Sequence, residues 1–254
     1  MQTRRGHAGS GVTRVHIPRP PDVGQTLTLP PEAAHHLVRV LRLKPGARLT
    51  LFTGDGREWP AEIIEAAPRR VTVQPGPGGV ADRESPLDIT LIQAVGKGRR
   101  MEYSLQKAVE LGVDRVAPIF SRRSVVHLEG PRRENKLQHW QAIAVAACEQ
   151  CGRNRIPEIH PPLELQRYFE TQPLQAPESG LFLDPHGTNT LSQLNRPTRI
   201  RVLIGPEGGF TDEERTQALE NGYTGLRLGK RILRTETAGP AIIAALQTLW
   251  GDFA

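Results

Sequence analysis

Over the first third of the chain, apolar and polar residues alternate in short stretches with the two-residue period of half-buried strands. These stretches are 26–29, 48–52, 59–64 and 71–73, separated by turn signals at Lys44-Pro45-Gly46 and Gly54-Asp55-Gly56. One helical segment, 33–43, interrupts them and sets His36, Arg39, Val40 and Leu43 at three- and four-residue steps. Residues 74–86, QPGPGGVADRESP, carry no apolar period and read as a linker. Beyond the linker the period changes. Strands are predicted at 87–94, 114–120, 180–184, 199–204 and 226–228, and helices over 101–112, 137–148 and 241–250. Thr211, followed three residues on by Glu214, forms a capping box that opens a further helix, which Gly222 ends. Strands and helices alternating in this way predict an α/β layer on a mostly parallel sheet. The expected division is a flexible leader at 1–11, a small β-rich domain at 12–82 and an α/β domain at 83–254.

Composition adds a core and a class of partner. Of 254 residues, 37% are hydrophobic and 24% charged, which excludes general disorder, a collagen-like repeat and a disulfide-stapled scaffold. Lys and Arg number 33 against 27 Asp and Glu, and the net +6 favours a polyanion, nucleic acid ahead of membrane. The excess is uneven: up to Asp82 there are eleven basic and seven acidic residues, and between Gly96 and Lys136 ten and five. The longest apolar runs, 142–148 and 241–246, fall short of the roughly 18 residues that span a bilayer. The opening MQTRRGHAGSG has no apolar core of an export signal, so a cytoplasmic protein is expected.

Cys148 and Cys151 form a C-x-x-C at the end of an apolar helical run, just before Gly152. A helix C-terminus disfavours a thiolate, and no second C-x-x-C or nearby His pair completes a zinc site, so they read as two reduced thiols. The adjacent His35 and His36 point apart on a helix, and no metal is expected. Three stretches carry candidate chemistry. The first, IGPEGGF at 204–210, is a Gly-rich turn between an apolar strand and a capped helix. A ligand can approach backbone N–H groups there, although a plain strand-to-helix connection would look the same. Glu207 is the residue that turn geometry does not require. The second, LGKRILRTETA at 228–238, packs cations, hydroxyls and Glu236 between apolar elements. Thr235 or Thr237 fits a helix N-cap, and Arg234 would approach Glu207 or Glu236. The third is Lys97-Gly98-Arg99-Arg100 with Arg122-Arg123 and Arg132-Arg133, which suits an RNA footprint or a solvated surface. Gly229-Lys230 is followed by Arg231 and Gly96-x-Gly98 lacks a third glycine, so neither a P-loop nor a dinucleotide fingerprint is present.

Taken together, IGPEGGF, LGKRILRTETA and a terminal apolar helix closely resemble the RsmE family of ribosomal RNA methyltransferases. HHLVRVLRLKPG, LFTGDG, KGRRMEYSLQKAVELGV, RRSV and ACEQCGR extend the resemblance over nearly the whole chain. It implies a C-terminal SPOUT-type α/β domain with a deep trefoil knot, preceded by a PUA-like RNA-binding β-barrel. It also implies S-adenosylmethionine (SAM) as cofactor, N3-methyluridine in small-subunit 16S ribosomal RNA as product, and a homodimer. The loops 181–185, 204–209 and 228–235 would then wrap SAM, through Leu183, Asp184, Pro185, Leu203, Ile204, Gly205, Pro206, Glu207, Gly208, Gly209, Leu228, Gly229, Ile232, Leu233, Arg234 and Thr235. The expected RNA contacts are His36, Arg39, Arg42, Lys97, Arg99, Arg100, Arg122 and Arg123. The chain departs from the family pattern at Cys151, where Ser is common, and at Gly239-Pro240, where apolar residues are expected. Because Pro suits a first helical turn, the second departure would shift the start of the last helix.

Methylation of uridine N3 needs its proton removed and the nitrogen aligned with the methyl group. Glu207 is the base candidate, with Arg153 and Arg234 stabilising negative charge on the uracil carbonyl oxygens. The alternatives are a knotted ribose 2′-O-methyltransferase, whose usual Asn- and Ser-containing motifs RTETA does not match, and a non-catalytic RNA-binding protein.

Overall fold

The computed structural model describes residues 12–126 and 128–253. The leader expected at 1–11 lies outside them. Two compact units form: one runs to Arg83 and takes in Gly152–Arg155, and the other comprises Glu84–Cys151 and Ile156–Ala254.

The first unit is a six-stranded sheet built from β1 (Thr13–His16), β2 (Leu27–Thr28), β3 (Arg48–Phe52), β4 (Arg57–Ala67), β5 (Arg70–Pro75) and β6 (Gly79–Val80). Its order is β1-β3-β4-β5-β2, with β6 on β4, and only the β1–β3 pair is parallel. Among the described residues no ladder joins β2 to β1, so the path is that of an open sheet rather than a fully hydrogen-bonded barrel. Alternation along β4 puts Trp59, Ala61 and Ile63 into a core with Val15, Leu49, Leu51, Val71 and Val73. The helical interruption departs from the expected period. α1 (Pro31–His35) passes into a π turn, His36–Val40, closed by Leu41 N–H donating to the His36 carbonyl at 3.0 Å. The wider turn rotates the apolar face, so Ala34 and Leu37 are buried while Val40 is 59% exposed. The linker expected at 74–86 is shorter than its composition suggested, because β5 continues to Pro75 and β6 pairs Val80 with Arg57. Glycine permits this: any side chain at Gly78 would strike the Trp59 indole. A loop from far along the sequence also belongs to this unit. Asn154, fully buried, donates to the carbonyls of Ala81 at 2.6 Å and Gly56 at 3.2 Å.

The second unit is an all-parallel sheet of seven strands. Its strands are β7 (Asp88–Ala94), β8 (Arg115–Phe120), β9 (Glu158–Ile159), β10 (Leu163–Glu164), β11 (Glu178–Leu183), β12 (Arg199–Ile204) and β13 (Tyr223–Leu226). The order is β10-β8-β7-β12-β11-β13, with β9 also on β8. The helices are α2 (Arg100–Glu110), α3 (Gly130–Cys151), α4 (Leu165–Thr171), α5 (Asp212–Glu220) and α6 (Thr235–Trp250). Central strands of such a sheet are buried on both faces, and β7 is buried along nearly its whole length. Ile92 and Ala94 pack with Leu165, Phe169 and Ala218 of α4 and α5, while Leu91 and Gln93 face Gly239 and Thr235 of α6. The two-residue period thus gives helices on both sides.

Two regions differ from expectation. The short strands β9 and β10 and helix α4 occupy a passage whose prolines mask any period. Helix α6 begins at Thr235, six residues before the predicted start, with Pro240 inside it rather than in its first turn. Pro240 brings no N–H, so the Glu236 carbonyl loses its helical donor, and packing on α2, β7 and β12 holds the helix instead. Cys148 is buried in α3 and Cys151 closes that helix; neither is bonded to the other.

Candidate active site

Three loops leave the carboxyl ends of adjacent strands β11, β12 and β13 and enclose a cleft of about 860 Å³. In parallel α/β sheets this edge is where ligands bind. The turn after β12 is the central wall. Gly209 N–H donates to the Pro206 carbonyl at 2.9 Å, and Gly209 takes φ +69°, a conformation that glycine adopts without cost. Thr211 then caps α5: its Oγ1 accepts from Glu214 N–H at 3.2 Å, and Glu214 accepts in return from Thr211 N–H at 2.9 Å.

Neighbours hold the turn from several sides. Thr235 Oγ1 donates to the Gly205 carbonyl at 2.7 Å, and Arg123 donates to the Gly208 carbonyl at 2.8 Å. Glu207 Oε1 accepts from Arg100 at 2.5 Å and from the Lys97 N–H at 3.2 Å. Partial burial pushes the Glu207 pKa up, but the hydrogen bonds from its own amide, Arg100 and the Lys97 amide, with the Arg100 charge, outweigh it and hold the pKa below the ordinary value. Arg100 also lies 3.8 Å from Glu236 Oε1, while Glu236 Oε2 is buried with no hydrogen-bond partner. On the opposite wall Asp184, 7% exposed, accepts from Arg215 at 2.6 Å and from His186 N–H at 2.9 Å. Ile204, Leu226, Leu228 and Leu233 supply apolar lining.

Of the residues expected at the cofactor, all but one line this cleft. The exception, Leu203, is fully buried in the core between β12 and its helices. Thr235 lines the cleft but does not cap α6, because Arg234 holds the N-cap position and the Thr235 hydroxyl is committed to Gly205. Arg234 is exposed at the cleft, and the carboxylates expected to meet it are met by Arg100 instead. Arg153 is buried in the Gly152–Arg155 loop of the first unit and is not among the lining residues. The residues expected at RNA fall into two groups. His36, Arg39, Arg42, Lys97, Arg99 and Arg122 are exposed, whereas Arg100 and Arg123 line the cleft and are engaged with the Gly-rich turn. Arg215 and His186 also line it and were not anticipated, and Phe210, within the IGPEGGF stretch, lines it without having been named as a cofactor contact. The signal for Arg215 was available, since it sits one turn into a capped helix that begins at the cleft.

A charged, partly apolar cleft at the carboxyl edge of a parallel sheet, preceded by a basic β-rich unit, fits an RNA-modifying transferase in which one unit can hold a small cofactor. Family models agree with that class: the RNA methyltransferase domain matches residues 83–247 and the RNA methyltransferase PUA domain matches 29–76. The chain belongs to the ribosomal RNA small subunit methyltransferase E family. It is 34% identical over 243 residues to the member from Buchnera aphidicola subsp. Acyrthosiphon pisum, covering 95% of each chain. A crystal structure of the Neisseria gonorrhoeae member bound to S-adenosyl methionine superposes with a TM-score of 0.88 at 39% identity, covering 96% of this chain and 100% of that one. A putative methyltransferase from Legionella pneumophila, in complex with SAM, gives 0.90 at 39% identity over 96% of this chain and 100% of the other.

Proposed function

We propose that the protein methylates N3 of a uridine in the 16S RNA of the small ribosomal subunit, with SAM held in the cleft between the loops after β11, β12 and β13. The observation that carries this reading is the convergence of those three loops, in a family whose named members are ribosomal RNA small subunit methyltransferases. The donor set suits SAM. The leucine and isoleucine side chains would pack on a heterocycle, and the unpartnered Glu236 Oε2 would be satisfied by a cationic group. When bound, SAM supplies an electrophilic methyl group on a sulfonium.

The chain's own residues then have three tasks. Glycines of the 205–209 turn admit the ligand close to the backbone. Glu207, anionic throughout the neutral range, accepts the uridine N3 proton directly or through water, at the cost of being a weaker base than an ordinary glutamate. Arg234, exposed at the cleft, stabilises negative charge on the uracil oxygens. Glu207→Gln is expected to lower the single-turnover rate at saturating SAM and RNA about 100-fold. An unchanged rate removes Glu207 as the proton acceptor.

The exposed Arg39 and Arg42 would bring the RNA to the first unit. Replacing both with Glu should weaken RNA binding about tenfold at moderate salt and flatten its salt dependence, with SAM affinity unchanged. Transfer of labelled methyl to naked 16S RNA, free small subunits and assembled ribosomes would identify the substrate, and nuclease digestion with mass spectrometry the methylated atom. A trefoil knot in the second unit is supported by the path of the chain: from β13 at the sheet's edge it runs through 227–234 to α6, which packs against central β7 and β12. The exposed Leu249 and Phe253, at and beyond the end of α6, favour a homodimer that would cover them. Action on ribosomal RNA favours the cytoplasm as the protein's location; among the described residues no helix is long and apolar enough to cross a membrane.

A further inference from the structure

Beneath the Gly-rich turn lies a buried relay. Gln93 on β7, 1% exposed, sits opposite Ile204 in the β7–β12 register and donates from Nε2 to Thr235 Oγ1 at 2.9 Å. Thr235 Oγ1 donates in turn to the Gly205 carbonyl at 2.7 Å. The order of donors is forced. An amide nitrogen can only donate, so the hydroxyl accepts from Gln93 and its single proton goes to Gly205. The Ala94 carbonyl accepts a second proton from Nε2 at 3.2 Å, which fixes the orientation of the amide. Gln93 Oε1 is left buried without a partner, facing Gly239, where a Cβ would come within 3.2 Å of it. Gly239 therefore leaves room for this amide. The hydroxyl at the first position of α6 makes no cap and is directed to the turn, so β7, α6 and the Gly-rich turn are joined at one atom.

We propose that Gln93 is a positioning residue for the cofactor cleft, acting through Thr235 on the Gly205 carbonyl to hold the 205–209 turn in its binding conformation before SAM arrives. This rests on the reading that the cleft binds SAM. A turn ordered in advance costs less to order on binding, so the relay appears in ground-state affinity more than in the chemical step. The first link is a hydrogen bond between buried groups and the second is part-buried, and losing either is expected to weaken SAM about tenfold.

The test is SAM affinity by calorimetry, with the KM for SAM and kcat at saturating RNA measured on the same full-length variants. Gln93→Leu and Thr235→Val should each raise Kd and KM for SAM about tenfold while kcat changes less than about threefold, and the double variant should be no worse than either alone. Thr235→Ser, which keeps the hydroxyl, should restore affinity to near wild type. A Gln93→Leu affinity within twofold of wild type overturns the proposal, as does a double variant whose effect is the product of the singles. If Gln93→Leu does not fold, the Val and Ser pair at Thr235 decides: equal affinities in the two sink the relay. Leu228→Trp, which fills the cleft, separates the two readings. If it leaves SAM affinity intact, the cleft assignment fails whatever the relay variants show.

Discussion

At the amino edge of the parallel sheet, Arg201 pairs with Glu178 at 2.6 Å and donates to the Gln172 carbonyl at 2.7 Å, the two charged side chains being 14% and 11% exposed. At the carboxyl edge, Arg100 pairs with Glu207 at 2.5 Å and lies 3.8 Å from Glu236, with the three side chains 41%, 27% and 18% exposed. The first arrangement is closed. Tyr168 and Tyr223 lie beside it, and burial raises both phenol pKa values despite the nearby Arg201 charge, so they stay neutral. A cavity of about 280 Å³ does open next to Glu178, but that carboxylate is already committed to Arg201. The second arrangement is open. One arginine is shared between two acids, a carboxylate oxygen is unpartnered, and glycine-rich loops rather than strand ends surround it. The same residue types thus serve stability where they saturate one another and chemistry where they do not.

The largest effect that would sharpen this contrast is at the closed edge. Glu178→Leu leaves the part-buried Arg201 guanidinium without its carboxylate, and losing such a charged hydrogen bond costs about 2 kcal/mol. Denaturant unfolding should show that loss, while calorimetry on the folded fraction should show SAM affinity within twofold of wild type. A variant with normal stability and weakened SAM binding would reverse the assignment of the two edges.

Most of the parallel sheet was legible from apolar periods, because β7, β8 and β12 run through the core and are bounded by turn residues. Arg199–Ile204 was predicted at its observed bounds. The cleft was legible as three loops only through family resemblance, since local chemistry at IGPEGGF allowed a plain connection equally well. What escaped prediction were features set by tertiary partners. The π turn at His36–Val40 breaks a helical period from within, and the loop at 152–155 belongs to the first unit, held by Asn154, neither of which composition signals. Arg234, following the apolar Ile232-Leu233 pair, was expected to approach Glu207 or Glu236, yet Arg100 reaches both acids from the first turn of α2. Residue types identified the charges at the site; only the fold could pair them.

The smallest expected effect concerns the open edge and follows from that pairing. Glu207 titrates below the ordinary 4.5 because hydrogen bonds and the Arg100 charge overcome partial burial. A carboxylate with a depressed pKa adds stability that is present above about pH 4.5 and is lost as pH falls through its lowered value. Arg100→Met removes the guanidinium and leaves burial opposed only by the amides of Glu207 and Lys97, so the pKa should move up, and the window of lost stability with it. Titration of the Glu207 carboxyl by carbon-13 NMR, in wild type and in Arg100→Met, reads the change directly, and an upward shift is expected. A Glu207 titration that does not move would mean that the backbone amides alone hold this acid ionised, leaving Arg100 free to contact RNA.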